Sequence, residues 1–179
     1  FAAGTPLQQV YDSLTKMDRM LASSPGVIAV QTLAGALATG THGQGLAQSS
    51  LADEALHIRM VLADGSVREF QRGDADFPAA MVSLGALGIV TAITLRTQPF
   101  RLFTCHKFAA SADSLEQDLL TWNEQHELSK AWWFVDDNLM HVWNADVASA
   151  EDSQAWYDHQ REVIEHGDQA DSSLNDTID

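Results

Sequence analysis

Leu33–Gly45 reads LAGALATGTHGQG: four glycines, three alanines, two threonines, one histidine and no carboxylate. It lies in a chain with 25 Asp and Glu against 10 Lys and Arg, a formal net charge of −15. Small residues let a ligand approach the backbone, and glycine permits the φ values that aim N–H groups at an anion. The chemistry on offer is the cradling of phosphate or another anion, with no acidic side chain to repel it. Two phosphate loops can be tested against it. Gly35 and Gly40 match the glycines of G-x-x-x-x-G-K-[ST], but Thr41 and His42 stand where Lys and Ser/Thr belong. A triphosphate loop is therefore not indicated. Gly43-Gln44-Gly45 begins a G-x-G-x-x-G, but Gln48 replaces the last glycine and no strand leads into it. The residues alone leave two readings open: one wall of an anion site, or a tight glycine turn with no ligand.

Other candidates carry less. SLGALGIVTAITL places Gly85 and Gly88 at a passage into a strand, where glycine more often serves close packing than binding. His42, His57, His106, His126, His141, His159 and His166 are scattered, with no metal-ligand spacing. No G-x-S-x-G elbow occurs. Asp136-Asp137 would face opposite ways on a strand, so a turn is the better reading. Cys105 is the only cysteine, which excludes an internal disulfide and a thiolate cluster. The acidic surface repels nucleic-acid phosphates, so nucleic-acid binding is not expected. No apolar run approaches the ~20 residues that span a bilayer, and no charged-then-apolar leader opens the sequence. Location stays open between cytoplasm and membrane surface. The opening FAAGTPLQQ reads as if mid-strand, so the chain is expected to be a segment of a longer protein.

These candidates need elements to position them. Thr5-Pro6 is expected to open a helix with Thr5 as cap and Gln8 at the capping-box position. Leu7, Val10, Tyr11, Leu14, Met17 and Leu21 follow at helical spacing, and Ser24-Pro25-Gly26 stops it. Leu56, Ile58, Met60 and Leu62 alternate with His57, Arg59 and Val61 as in a half-buried strand. Asp64-Gly65 predicts a two-residue hairpin turn with both residues at positive φ, and Val67 to Phe70 is the return strand. A short helix is expected from Phe77 to Leu84, then a strand from Ile89 to Arg96 ended by Pro99. RLFTCHKF, a helix near 114–127, AWWFVDD, LMHVWNADV and a helix from 151 to 165 give a β-α-β-β-α order. Four of the five tryptophans (Trp122, Trp132, Trp133, Trp143) fall in its first four elements. The tail from 167 has little to bury and is expected to be disordered.

QTLAGALATGTHGQG, followed by LADGSVREFQRGDADFPAAMVSLGALGIVTAITL, resembles the FAD-binding domain of the vanillyl-alcohol-oxidase type flavoproteins. Within them it is most similar to the sugar-1,4-lactone oxidases (arabinonolactone and gulonolactone oxidases) and the alditol oxidases. The resemblance implies an α+β fold: the second half of a PCMH-type FAD-binding domain over 1–101, then the start of an α+β substrate (cap) domain over 102–166. It places Thr32 near the cofactor and Gly35 where the backbone comes close. Thr39, Gly40, Thr41, His42 and Gly43 form the segment meeting flavin and pyrophosphate, and Gly88 and Ile89 lie on the adenine side. The implied activity is FAD-dependent oxidation of a sugar lactone, or of a polyol or 2-hydroxy acid, by hydride transfer to flavin, with oxygen or another electron acceptor. Peripheral membrane association belongs to the same resemblance. Val27 stands where alditol oxidases carry a serine, which favours the lactone oxidases, and Gln44 replaces a small hydroxyl residue. The upstream loop that bonds flavin covalently would precede Phe1, and the catalytic residues would follow Asp179. The segment alone is therefore expected to bind FAD weakly and to catalyse nothing.

Overall fold

The computed structural model describes residues 1–23, 29–48 and 50–166. The expected helix stop at Ser24-Pro25-Gly26, the Val27 comparison and the tail from 167 lie outside them. The fold is α+β, and the chain divides into two compact units after Phe100.

In the first unit, residues 1–6 pass along two elements with a turn at Ala3-Gly4, closed by Thr5 N donating to Ala2 O. Ala2 bridges Ala92, and Pro6 bridges Thr32. This changes the start of α1 (Leu7–Thr15). Thr5 does not cap; its carbonyl accepts from Leu33 N at 2.8 Å. Pro6 takes the N-cap position without a side-chain bond. The first N–H groups of the helix go instead to backbone, Leu7 to Gln31 O and Gln8 to Ala29 O, so the orphan donors that a cap would serve are already satisfied. The Gln8 side chain reaches forward to Asp12 rather than back. Leu7, Val10 and Leu14 are buried. The helix ends two turns sooner than the apolar spacing suggests. Asp18 has φ 53°, leaving Met17 exposed, while Leu21 is buried beyond β1 (Arg19–Met20).

Beyond the glycine segment, β2 (Ala55–Val61), β3 (Val67–Gln71) and β4 (Ile89–Leu95) form an antiparallel sheet in the order β3-β2-β4. Ile58, Met60, Phe70 and Ile93 face the core with Leu7, Leu33 and Leu37; burying each large side chain contributes about 2 kcal/mol. The β2–β3 connection differs from the two-residue turn. Leu62 N donates to Ser66 O and Gly65 N to Leu62 O, and Gly65 alone among the turn residues has positive φ. That is a three-residue loop, a type I turn followed by a left-handed glycine. Asp64 closes it by accepting from Ser66 N and Oγ, which lowers its carboxyl below the usual range, the side-chain bond first. Helix α3 covers only Phe77–Met81. Pro99 does not end a strand: Gln98–Pro99 form β5, paired with β1, an edge position that needs no proline N–H.

The second unit follows the expected β-α-β-β-α order: β6 (Phe103–Ser111), α4 (Leu115–Gln125), β7 (Leu128–Phe134), β8 (Leu139–Val147) and α5 (Ala150–His166). The sheet is antiparallel in the order β6-β8-β7. Ser129 and Asn144 are buried and hydrogen-bond each other at 2.8 Å, so neither leaves an orphan polar atom. Arg101 makes a two-pronged pair with Glu127. His126 Nδ1 lies 2.6 Å from Asp146 Oδ2. That bond, followed by the Glu127 N–H, holds the Asp146 carboxyl below its usual range.

Candidate functional site

The glycine segment is half helix. Leu33–Ala38 form α2, with Leu33, Ala36 and Leu37 buried against the core and Thr32, Gly35 and Thr39 on the exposed side. The spacing explains it: apolar residues at 33, 36 and 37 fall on one helical face. Thr32 is the N-cap, accepting from Gly35 N at 3.3 Å. A Cβ on Gly35 would come 3.0 Å from that same hydroxyl oxygen. The Thr39 hydroxyl donates back to Gly35 O at 3.0 Å. Both hydroxyls are thereby fixed around an open glycine backbone.

The expected mechanism of anion cradling is corrected in part. The first-turn N–H groups of α2 are consumed internally: Leu33 by Thr5 O, Ala34 by Ala3 O, Gly35 by Thr32 Oγ1 and Ala36 by Thr32 O. The N–H groups of Thr39, Gly40 and Thr41 bond to Gly35, Leu37 and Ala36 carbonyls. None of these seven donors is aimed at a ligand. What faces outward is a strip of small residues and hydroxyl groups, continued by His42. The exposed His42 ring has Nδ1 2.8 Å from Gly43 O. A carbonyl only accepts, so in the neutral ring this contact puts the proton on Nδ1 and leaves Nε2 an acceptor. Thr41 Oγ1 is turned to Gln31, and Thr41 O receives Leu51 N.

The return from this loop is pinned. Glu54 is 2% exposed and pairs with Arg96 at 3.1 Å; Arg96 N also donates to Glu54 O. Arg72 bonds the Ala55 and Asp53 carbonyls. A buried carboxylate needs such a partner. Its role is to anchor the stem of the loop to β4.

The structure brings the two glycine segments together. Leu84 N donates to Ala38 O at 3.1 Å, and a Cβ on Gly40 would touch the Val82 methyls at 3.5 Å. Sequence reasoning missed Val82 and Leu84. Leu84 has φ 52° and is 75% exposed. A bulky residue at left-handed φ is uncommon, but the sequence signals nothing there except the following Gly85. Gly88 has a different setting: an added Cβ would run into the Val61 carbonyl oxygen. Ile89 opens β4 opposite Val61 and is 72% exposed.

The outer face of 32–43 offers a ligand a strip of small side chains and threonine hydroxyls ending at the exposed His42 ring, with no carboxylate in it. Among the described residues, no group of three or more His, Cys, Asp or Glu could hold a metal ion, and no helix is long and apolar enough to cross a membrane.

Comparison with known proteins is specific at this point. The family described as FAD binding domain matches residues 1–71. The matched stretch holds α1, α2, the exposed loop and the β2–β3 hairpin. The longer chain is similar to a Neurospora crassa protein named as a D-arabinono-1,4-lactone oxidase, 33% identical over 157 residues, 84% of this chain and 27% of that one. It is also similar to an L-gulono-1,4-lactone dehydrogenase of Mycobacterium tuberculosis, 42% identical over 89 residues, covering 50% of this chain and 20% of the relative. An alditol oxidase of Streptomyces matches 68 residues at 46% identity, 38% of this chain and 16% of the relative. In fold, it matches cholesterol oxidase from Brevibacterium sterolicum with a TM-score of 0.69 at 19% identity, over 82% of this chain and 31% of that structure. The chain thus spans only 27% and 20% of the length of the first two of these relatives.

Proposed function

We propose that this chain supplies the later part of the FAD-binding domain and the start of the substrate domain of an oxidoreductase acting on a sugar 1,4-lactone. Bound FAD supplies the hydride acceptor, and oxygen or another electron acceptor takes the electrons onward. Thr32, Gly35, Thr39, Gly40, Thr41, His42 and Gly43 form one wall of the cofactor site. Gly88 and Ile89 border its adenine side. In this reading the chain's own residues bind and orient. The fixed hydroxyls of Thr32 and Thr39 offer hydrogen bonds, and Nε2 of His42 offers an acceptor. Catalytic residues are expected elsewhere in the longer protein.

The observation that carries the reading is the junction of two distant segments, 33–45 and 82–89, across Ala38–Leu84 and Gly40–Val82, within and beside the matched family region. The lactone relative that spans both units supports the substrate class. The test uses the whole protein saturated with FAD. It should show visible flavin absorbance that bleaches when L-gulono- or D-arabinono-1,4-lactone is added without oxygen. Protein that retains no flavin sinks the reading.

A second reading is oxidation of an alditol, favoured by the higher identity of the alditol oxidase over its shorter match. Bleaching by xylitol but not by either lactone would select it. Peripheral membrane association is part of the same proposal, and co-sedimentation with lipid vesicles reads it out.

A further inference from the structure

Beside α1, the first unit holds a pocket that the cofactor wall does not use. The second half of α1 forms one side, and the β1–β5 ribbon with Phe100 forms the other. The ribbon side is fixed: Phe100 N donates to Asp18 O at 2.9 Å, and Arg19 is tied to Thr97 through Nε and Nη2. Leu14, Leu21 and Phe100 make the lining mostly apolar, and the volume is about 260 Å³. A single water needs only about 15 Å³, so the space admits a small ring.

Two hydroxyl groups in this wall are unfinished. Tyr11 Oη and Ser23 Oγ are buried and have no hydrogen-bond partner among the described residues. Ser23 is 3% exposed. Burial pushes the Tyr11 hydroxyl above its ordinary value of 10.0, so it stays neutral and, like Ser23, can both donate and accept. A buried hydroxyl without a partner costs stability, and most such groups in folded chains are satisfied by protein or by a bound molecule. Here two stand in the wall of one pocket. Arg19 is the one charged residue of the lining. It is engaged with Thr97 and lies beside the negative end of the α1 dipole, so the lining calls for neither a cation nor an anion. Apolar walls with a few polar groups suit a hydrocarbon body that carries little polarity of its own.

We propose that this pocket binds a small neutral ring carrying one hydroxyl or carbonyl oxygen. Its apolar body lies against Leu14, Leu21 and Phe100, and its oxygen pairs with the Tyr11 or Ser23 hydroxyl. The pocket uses none of the residues assigned to FAD, so this proposal stands or falls apart from the proposed function.

The test is a ligand-observed NMR titration of the full chain with phenol. Toluene serves as the isostere without the oxygen, and benzoate as the anionic analogue. Phenol should bind saturably, and toluene and benzoate should each bind at least about tenfold more weakly. Tyr11→Phe and Ser23→Ala each delete one hydroxyl and little else. At least one of them should weaken phenol about tenfold and leave toluene unchanged. Without ligand, both variants should melt at or above the wild-type temperature, because each removes an unpaired hydroxyl from a buried place. A hydroxyl that merely held the fold together would instead lower the melting temperature on its loss. Absence of saturable phenol binding overturns the proposal. So do toluene or benzoate binding as tightly as phenol, phenol affinity unaltered in both variants, or melting of both variants well below wild type.

Discussion

The two glycine segments look alike in sequence and do opposite things. In 33–45, Gly35 and Gly40 leave backbone open on an outer face. Gly35 adjoins only the Thr32 hydroxyl, and Gly40 takes φ 66° where the chain leaves α2. In 84–88, Gly88 is closed against the backbone of β2, with the Val61 carbonyl where a Cβ would go. In the proposed function the first segment keeps space for the cofactor; the second removes space so that the β2–β4 ladder can form. Glycine content therefore says that the backbone is special, while its neighbours decide whether the reason is binding or packing.

The largest effect should come from Gly88→Ala. Its methyl would meet backbone, which cannot rotate away, so urea unfolding should show a loss of about 3 kcal/mol. FAD affinity of the fraction that remains folded should fall less than Gly40→Ala lowers it, because in the proposed function Gly88 only borders the adenine side. A variant of normal stability that loses FAD would reverse the contrast between the two segments.

Gly40→Ala should cost less. The added carbon makes an ordinary 3.5 Å contact with Val82, so only the left-handed backbone is penalised, by about 1 kcal/mol. Its FAD affinity should fall by more than that stability loss predicts, as read by flavin fluorescence against denaturant curves. Unaltered FAD affinity would remove 39–43 from the cofactor wall and leave both segments as packing devices.

The smallest effect is a pH dependence at the hairpin beside Gly88. The Asp64 carboxyl is held below its ordinary value of 3.8 by Ser66. A group with a depressed folded pKa contributes stability above its unfolded pKa and loses it as pH falls through the folded value. Wild type should thus melt slightly above Asp64→Ala at pH 7. The gap should close as pH falls below about 3.8. A gap that widens in acid would show that Asp64 does not hold this turn.

Much of this was legible along the chain. The alternation around Ile58 and Met60 gave β2, the β-branched run after Gly88 gave β4, and the β-α-β-β-α order of the second unit followed from local patterns. Errors arose where distant backbone took over a local task. Thr5 was free not to cap because residues 29–31 satisfy the start of α1. Pro99 joined a strand because Arg19 and Met20 lie beside it. Leu33–Ala38 became a helix because Leu33, Ala36 and Leu37 share a core to pack against, which composition alone did not reveal.

By itself, the sequence determined the composition of the site: small residues, hydroxyls, one histidine and no carboxylate, in an order resembling FAD-binding oxidases. The tertiary structure alone decided what that composition can do. It spent the helix N–H groups on Ala3, Thr5 and Thr32, so the outward chemistry falls to side-chain hydroxyls and an open backbone. It also set Val82 and Leu84 against Gly40 and Ala38, and assembled Tyr11, Arg19, Ser23 and Phe100 around one pocket. Spacing along a chain fixes which residues are neighbours in one element. Which elements meet depends on burial and pairing across many residues, and only the folded chain expresses that.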